Sequence, residues 1–314
     1  MDAKITKSRL ANFLSYDWLK ILIAIVMAVA ALCVFFTTVG TRPREDQRFE
    51  LYCYTGLSGS SRAQQFSDTA MEEKIFSYDI LAVTFETFDS FDIYGSAAYG
   101  ARRAAGEGKA MFVPDALAKY DENGEKVSDT ILEGFLAECL LNAGTESEYL
   151  NPLFDFPQFM EDATAYLANV LGENWRDAPV VNDDAVREIF LARNRNDKRY
   201  KTAANREKGI ADERARFIGL RSDYLVVEEA IESGLFTYTD YTSEMGKTYT
   251  VALNIGGLAR LQNFIYYNAT SESGNIVHTA KDINFVIFNN GKHTTDLKYE
   301  SLSLLAWLIE EYGE

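Results

Sequence analysis

Nineteen consecutive residues without a charge, Ile21 to Val39 (ILIAIVMAVAALCVFFTTV), decide how the rest of this chain can be read. As a helix they span about 28 Å, close to the hydrocarbon thickness of a bilayer. A helix is also the one kind of single segment that crosses lipid with its backbone groups paired. Tyr16 and Trp18 stand at one boundary, where amphipathic rings prefer to lie, and Lys20 closes that side. Gly40, Thr41, Arg42 and Pro43 close the other. A buried core helix is usually shorter or carries a polar stripe. A cleaved signal peptide has an apolar core of about 7–15 residues behind a short basic start. Here a leader of 20 residues precedes a core of 19, and Thr38-Val39-Gly40 is a poor small-residue cleavage site. The run therefore reads as a retained anchor in the lipid bilayer. Lys4, Lys7, Arg9, Lys20 and the amino terminus precede it, while Arg42, Arg44 and Arg48 follow. The positive-inside rule then predicts a single-pass protein of the cell membrane with its C-terminal domain extracytoplasmic.

The remainder is globular in composition, with 47% hydrophobic and 25% charged residues in a chain of 314. A net charge of -16 argues against nucleic acid as a partner, because phosphate contacts need a surplus of Lys and Arg. Two histidines and three cysteines exclude zinc-ribbon and disulfide-dense scaffolds. The chain divides into a cytoplasmic tail (1–20), a transmembrane helix (21–40), a polar tether (41–48) and an α/β domain (49–314) with a helical insert over about 129–235.

Phe49–Tyr54 (FELYCY), Ile80–Glu86 (ILAVTFE) and Ala110–Val113 (AMFV) read as strands. Helices over about Arg62–Phe76, capped by Ser60 or Ser61, and over Tyr94–Ala105, ended by Gly106, alternate with them. The order β-α-β-α-β predicts a parallel, doubly wound start. Helical spacing recurs over Asp129–Leu141, around Phe159–Gly172, and over Asn205–Ser233 with Phe217, Leu220, Tyr224, Val227 and Ile231 as its buried stripe. Thr248–Leu253 and Ile283–Phe288 read as strands, and Ser301–Tyr312 as an amphipathic helix. A helical middle between sheet-forming ends predicts two lobes on a mostly parallel sheet.

The stretch FETFDSFDIYGSAAYGARRAAGEGKAMFVPD, residues 85–115, resembles type II extracytoplasmic solute-binding proteins: their second strand, the helix ending in a small-residue turn, and a third strand ending in Asp115. With the βαβαβ opening and the later YTVAL strand, the resemblance covers about a quarter of the chain. It implies recognition of a small-molecule or peptide ligand without catalysis.

Several further patterns in the sequence bear on chemistry. The Gly/Ser turn 56–61 is neither a P-loop nor a dinucleotide fingerprint, and reads as a turn with an N-cap. Residues 187–221 hold 11 Lys/Arg against five acids, a local +6 that leaves -22 elsewhere. That segment is either a solvated, ion-paired face or a surface that docks a partner. His278 and His293 show no metal-ligand spacing, so no metal or cofactor is expected. Asp121-Glu122-Asn123-Gly124 departs from a calcium loop at its sixth position, Lys126. Asn268-Ala269-Thr270 is a glycosylation sequon only in a eukaryotic secretory context. Cys53 and Cys139 would pair only if their backbones come within reach; buried free thiols are the simpler reading.

Ligands of open α/β sheets bind beyond the carboxyl ends of strands. Tyr54, Thr87, Tyr94 and Asp115, with Thr55, are placed there and form the candidate ligand-binding set. The expectation is a membrane-anchored, non-catalytic ligand-recognition domain. The alternatives are a scaffold subunit of a membrane assembly, docking a membrane protein partner through 187–221, and an envelope hydrolase, for which no catalytic constellation is evident.

Overall fold

A computed structural model describes residues 7–39, 43–88, 93–116, 129–140, 153–243, 246–270, 274–289 and 295–314, with the side chains at 7–17, 36–39, 93–96 and 103 excepted. It divides into two compact units, Met1–Arg42 and Pro43–Glu314. In the first, α1 (Lys7–Val39) is one unbroken helix that begins 14 residues before the apolar run. Its window Trp18–Phe35 has a mean hydropathy of 2.6 and no residue buried in protein. It is the one described helix long and apolar enough to cross a membrane.

The second unit begins with β1 (Arg48–Cys53). Phe49, Leu51 and Cys53 enter one core and Tyr52 another, so the strand is covered on both faces. Gly56, at φ 84°, turns the chain into β2 (Ser58–Gly59). The Ser60 hydroxyl accepts from Arg62 N (3.2 Å) and Ala63 N (3.3 Å), starting α2 (Ser61–Gln64). The helix expected through Phe76 breaks at Gln65, resumes as α3 (Phe66–Glu72) and ends four residues early. Then come β3 (Ala82–Thr87), α4 (Ile93–Ala105) and β4 (Ala110–Pro114). Both β3 and β4 pair parallel with β1, Leu51 lying between Phe85 and Ala110. Ala63, Phe66 and Ala70 pack on one face of these strands; Tyr99 packs on the other with Leu132 and Phe135 of α5 (Ile131–Leu140). The doubly wound opening is therefore present.

The sheet does not continue parallel. After α6 (Phe156–Leu171), α7 (Asp183–Arg193) and α8 (Ala203–Glu232) come β5 (Thr237–Thr242) and β6 (Thr248–Asn254). Five residues join them, too few for a crossover, so they pair antiparallel. Next are β7 (Ile265–Thr270), β8 (Ile276–Thr279), β9 (Ile283–Ile287) and α9 (Glu300–Tyr312). Strand β9 runs antiparallel between β4 and β6, giving a mixed six-stranded sheet of order β3-β1-β4-β9-β6-β5. A small second sheet, β2-β7-β8, takes up the Gly/Ser turn.

The helical middle is not a separate lobe. Phe159, Leu167, Phe217 and Leu220 share one core with Phe49, Phe112 and Phe285, and Pro43–Glu314 is a single compact unit. Helix α9, expected to show one wet face, is buried all round through Leu308 because it lies within that core. Cys53 and Cys139 are not joined by a disulfide.

Candidate functional site

The expected ligand set stands at the carboxyl ends of the parallel strands, but its members differ in what they do there. Tyr54 follows β1 and donates its N–H to Phe112 O at 2.9 Å. Its ring is 7% exposed and packs 5.0 Å from Phe135 and 5.6 Å from Tyr99, as part of a core. Thr87 ends β3 opposite Cys53 and is exposed. Asp115 follows β4, donates its N–H to Asp282 O at 2.7 Å, and leaves its Oδ1 without a hydrogen bond among the described residues. Tyr267 donates to Asp282 Oδ2 at 3.3 Å; burial and then Asp282 push the Tyr267 phenol up to about 12. Tyr94 falls in the first turn of α4, with its side chain outside the described residues. So do the loops after β3 and β4 (89–92 and 117–128), including Asp121–Gly124, and His293. His278 stacks flat on Tyr266, ring centroids 4.1 Å apart.

The basic segment gives three of its eleven cations to one largely buried network of ion pairs. Arg193 and Arg216 side chains are 4% and 1% exposed. Arg193 donates to Asp79 (2.8 Å), to Asp296 (2.6 Å) and to Glu213. Arg216 donates to Glu300 (2.7 Å), Glu213 (3.1 Å) and Asp296 (3.2 Å). Arg199 reaches Asp79 and, at 2.8 Å, Asp197. Tyr78 and Tyr166 add hydroxyl donors to Glu213 and Asp296, and Gln47 donates to Asp79 at 2.9 Å. Burial alone would raise the Asp79 and Asp296 carboxyls, but the guanidinium groups around them hold both below the usual range. Of the outward members, Arg187 pairs with Glu207 (2.9 Å) and Arg214 with Asp183 (3.3 Å).

Two cavities border this network, and none of Tyr54, Thr87 or Asp115 lines either. One, of about 510 Å³, is lined by Lys74, Ser77, Asp212, Asp223, Glu300 and Ser303 among others. Ser303 Oγ donates to Asp223 Oδ2 at 2.6 Å, and Ser77 N donates to Glu300 at 2.8 Å. Burial pushes the Asp223 carboxyl up to about 6, against the hydrogen bond from Ser303. Arg216 also lines this cavity, but its guanidinium is committed to the network. Gly219 opens the wall: a Cβ there meets nothing within 4 Å.

The other cavity, an open groove of about 700 Å³, runs along α7 and α8 past Phe190, Asn194, Arg195, Tyr200 and Arg206. Phe190 and Tyr200 meet edge to face at 4.8 Å, an approach that requires Gly209, where a Cβ would stand 2.4 Å from the Phe190 ring. Among the described residues no three His, Cys, Asp or Glu side chains are grouped as metal ligands.

Asp223, Ser303 and Asn194 were not singled out from the sequence. An aspartate in a helix reads as a solvated charge and an asparagine after one reads as a cap; only long-range packing shows otherwise. Comparison with protein-family models, curated proteins and solved structures gives no match for this chain.

Proposed function

We propose that this chain is a membrane-anchored, extracytoplasmic recognition domain that binds a small organic cation without chemistry on it. The anchor is the apolar helix, and the sidedness rests on the excess of basic residues before it. The observation that carries the reading is the cavity of about 510 Å³, a volume suited to a small molecule. Beside the Lys74 ammonium at its edge, its free polar groups are carboxylates and hydroxyls. Asp212 and Asp223 face it with Ser77 and Ser303, while the Arg216 charge is taken up by Glu213, Asp296 and Glu300. The buried ion pairs hold one wall in fixed geometry, so little ordering remains to be done on binding.

The test is a thermal-shift titration of the full chain in neutral detergent with ethanolamine, putrescine and lysine, glucose serving as the uncharged control. The amines raise the melting point by mass action and glucose does not. Gly219→Leu fills the cavity from an open helix position and abolishes the shift. Affinity falls about tenfold between pH 7.5 and pH 5, because Asp223, titrating near 6, takes up a proton that competes with the cation. Amine shifts that survive Gly219→Leu would sink the proposal, as would none at all. A second reading, a scaffold docking a partner through residues 187–221, draws support from Arg195 and Arg206, which face the larger groove.

A further inference from the structure

Asn194 ends α7 in a position that is poor for an asparagine left alone. The residue is 5% exposed, yet neither its amide oxygen nor its amide nitrogen has a hydrogen-bond partner among the described residues. Its backbone is satisfied, the N–H by Phe190 O at 2.9 Å and the carbonyl by Asp197 N at 3.0 Å. A buried amide with both polar atoms unpaired is destabilising, and an apolar residue of the same shape would avoid that cost. Asn194 is one of the residues that line the groove of about 700 Å³.

The rest of the groove shows what would pair with that amide. Arg195 and Arg206 are exposed, line the same groove, and their guanidinium groups form no ion pair or hydrogen bond among the described residues. Arg187 is held by Glu207, and the acids Asp184 and Glu188 stand on the same wall beside it. The Phe190 and Tyr200 rings supply an apolar floor. One planar donor–acceptor pair, two free guanidinium groups and an aromatic floor converge within one open groove.

We propose that this groove docks a carboxylate-bearing peptide segment of another protein. The Asn194 amide offers its oxygen to a peptide N–H and its nitrogen to a peptide carbonyl. Arg195 and Arg206 take the carboxylates, for which a guanidinium fork is the matching donor. A second copy of this chain is a poor source of such a segment, since each copy carries a net charge of -16 and two whole copies repel on approach. The site does not depend on the amine-binding cavity, from which it shares no lining residue.

Fluorescence anisotropy of a labelled alternating glutamate–glycine peptide, titrated with the full chain in neutral detergent, tests the assignment; a glutamine–glycine peptide is the control. The glutamate peptide binds at least tenfold tighter, and its affinity falls as salt rises. Arg195→Ala with Arg206→Ala lowers that affinity at least tenfold. Asn194→Leu weakens the peptide at least fivefold while raising the melting temperature by about 2–4 °C, because two orphaned polar atoms are gone. A merely structural asparagine would lower both. Gly219→Leu leaves peptide binding unchanged, so failure of either proposal is distinguishable from failure of the other. The assignment is overturned by equal binding of the two peptides, by full affinity in the arginine double variant, or by a lowered melting point in Asn194→Leu. Binding to phosphatidylserine vesicles without binding to the glutamate peptide also overturns it.

Discussion

Lys109 carries its amine into the interior at the start of β4. The residue is 3% exposed and its Nζ has no hydrogen bond among the described residues. Burial pulls the ammonium down to about 8, while the charges of Asp46, Glu50 and Glu300 work against that shift. A depressed lysine is a cost in the folded state at every pH below 8, and the cost fades as pH rises toward the unfolded value near 10.4. Lys109→Met therefore raises stability at pH 7 by roughly 1–3 kcal/mol. In urea titrations the advantage over the parent chain shrinks steadily between pH 8 and 10.5; a constant advantage would rule the explanation out.

Within α8 two glycines have opposite meanings. Gly209 is packed against Phe190 and Tyr200, and Gly219 faces open space. An alanine methyl at Gly219 adds helix propensity without a clash and stabilises by about 0.5–1 kcal/mol. The same methyl at Gly209 forces Phe190 aside and costs about 1–3 kcal/mol net, as overpacking does. Urea midpoints of the two variants should move in opposite directions. From the sequence both glycines weaken the helix, yet it runs unbroken from Ala203 to Glu232. Its apolar stripe was legible; that Glu213 and Arg216 share the buried face was not, because Glu213 is partnered from α7 and Tyr78, and Arg216 from α9 and the turn before it. Strands β1, β3 and β4 and the helices between them were legible from alternation and turn residues, whereas the short β2 lies where the sequence reads as a turn. Strand β8 escaped notice because its residues are mostly exposed, and β5 because its Thr- and Tyr-rich run shows no clean alternation. The antiparallel turn of the sheet depends on which strands meet, and local pattern does not carry that.

Across the whole domain, the ion network ties residues 44–47, 78–79, 193–199, 213–216 and 296–300 into one assembly. Arg216→Met leaves Glu213, Asp296 and Glu300 short of a partner in the interior and lowers stability by about 3–5 kcal/mol. Calorimetry should still show one transition for Pro43–Glu314, at a lower temperature; two separate transitions would contradict the single compact unit. The depressed Asp79 and Asp296 carboxyls add stability that is present at neutral pH and is lost as pH falls through their folded values, which lie below the usual carboxylate range. The placing of β9 has a consequence for biosynthesis. Strand β4 is complete at Pro114, but the neighbour that closes its far edge begins at Ile283, about 170 residues later. At ordinary translation speeds that interval lasts roughly ten to thirty seconds. Throughout it the nascent polypeptide holds an unzipped β edge beside a greasy, half-roofed surface. A newborn chain in that state is open to sister chains stitching onto it unless something covers the edge.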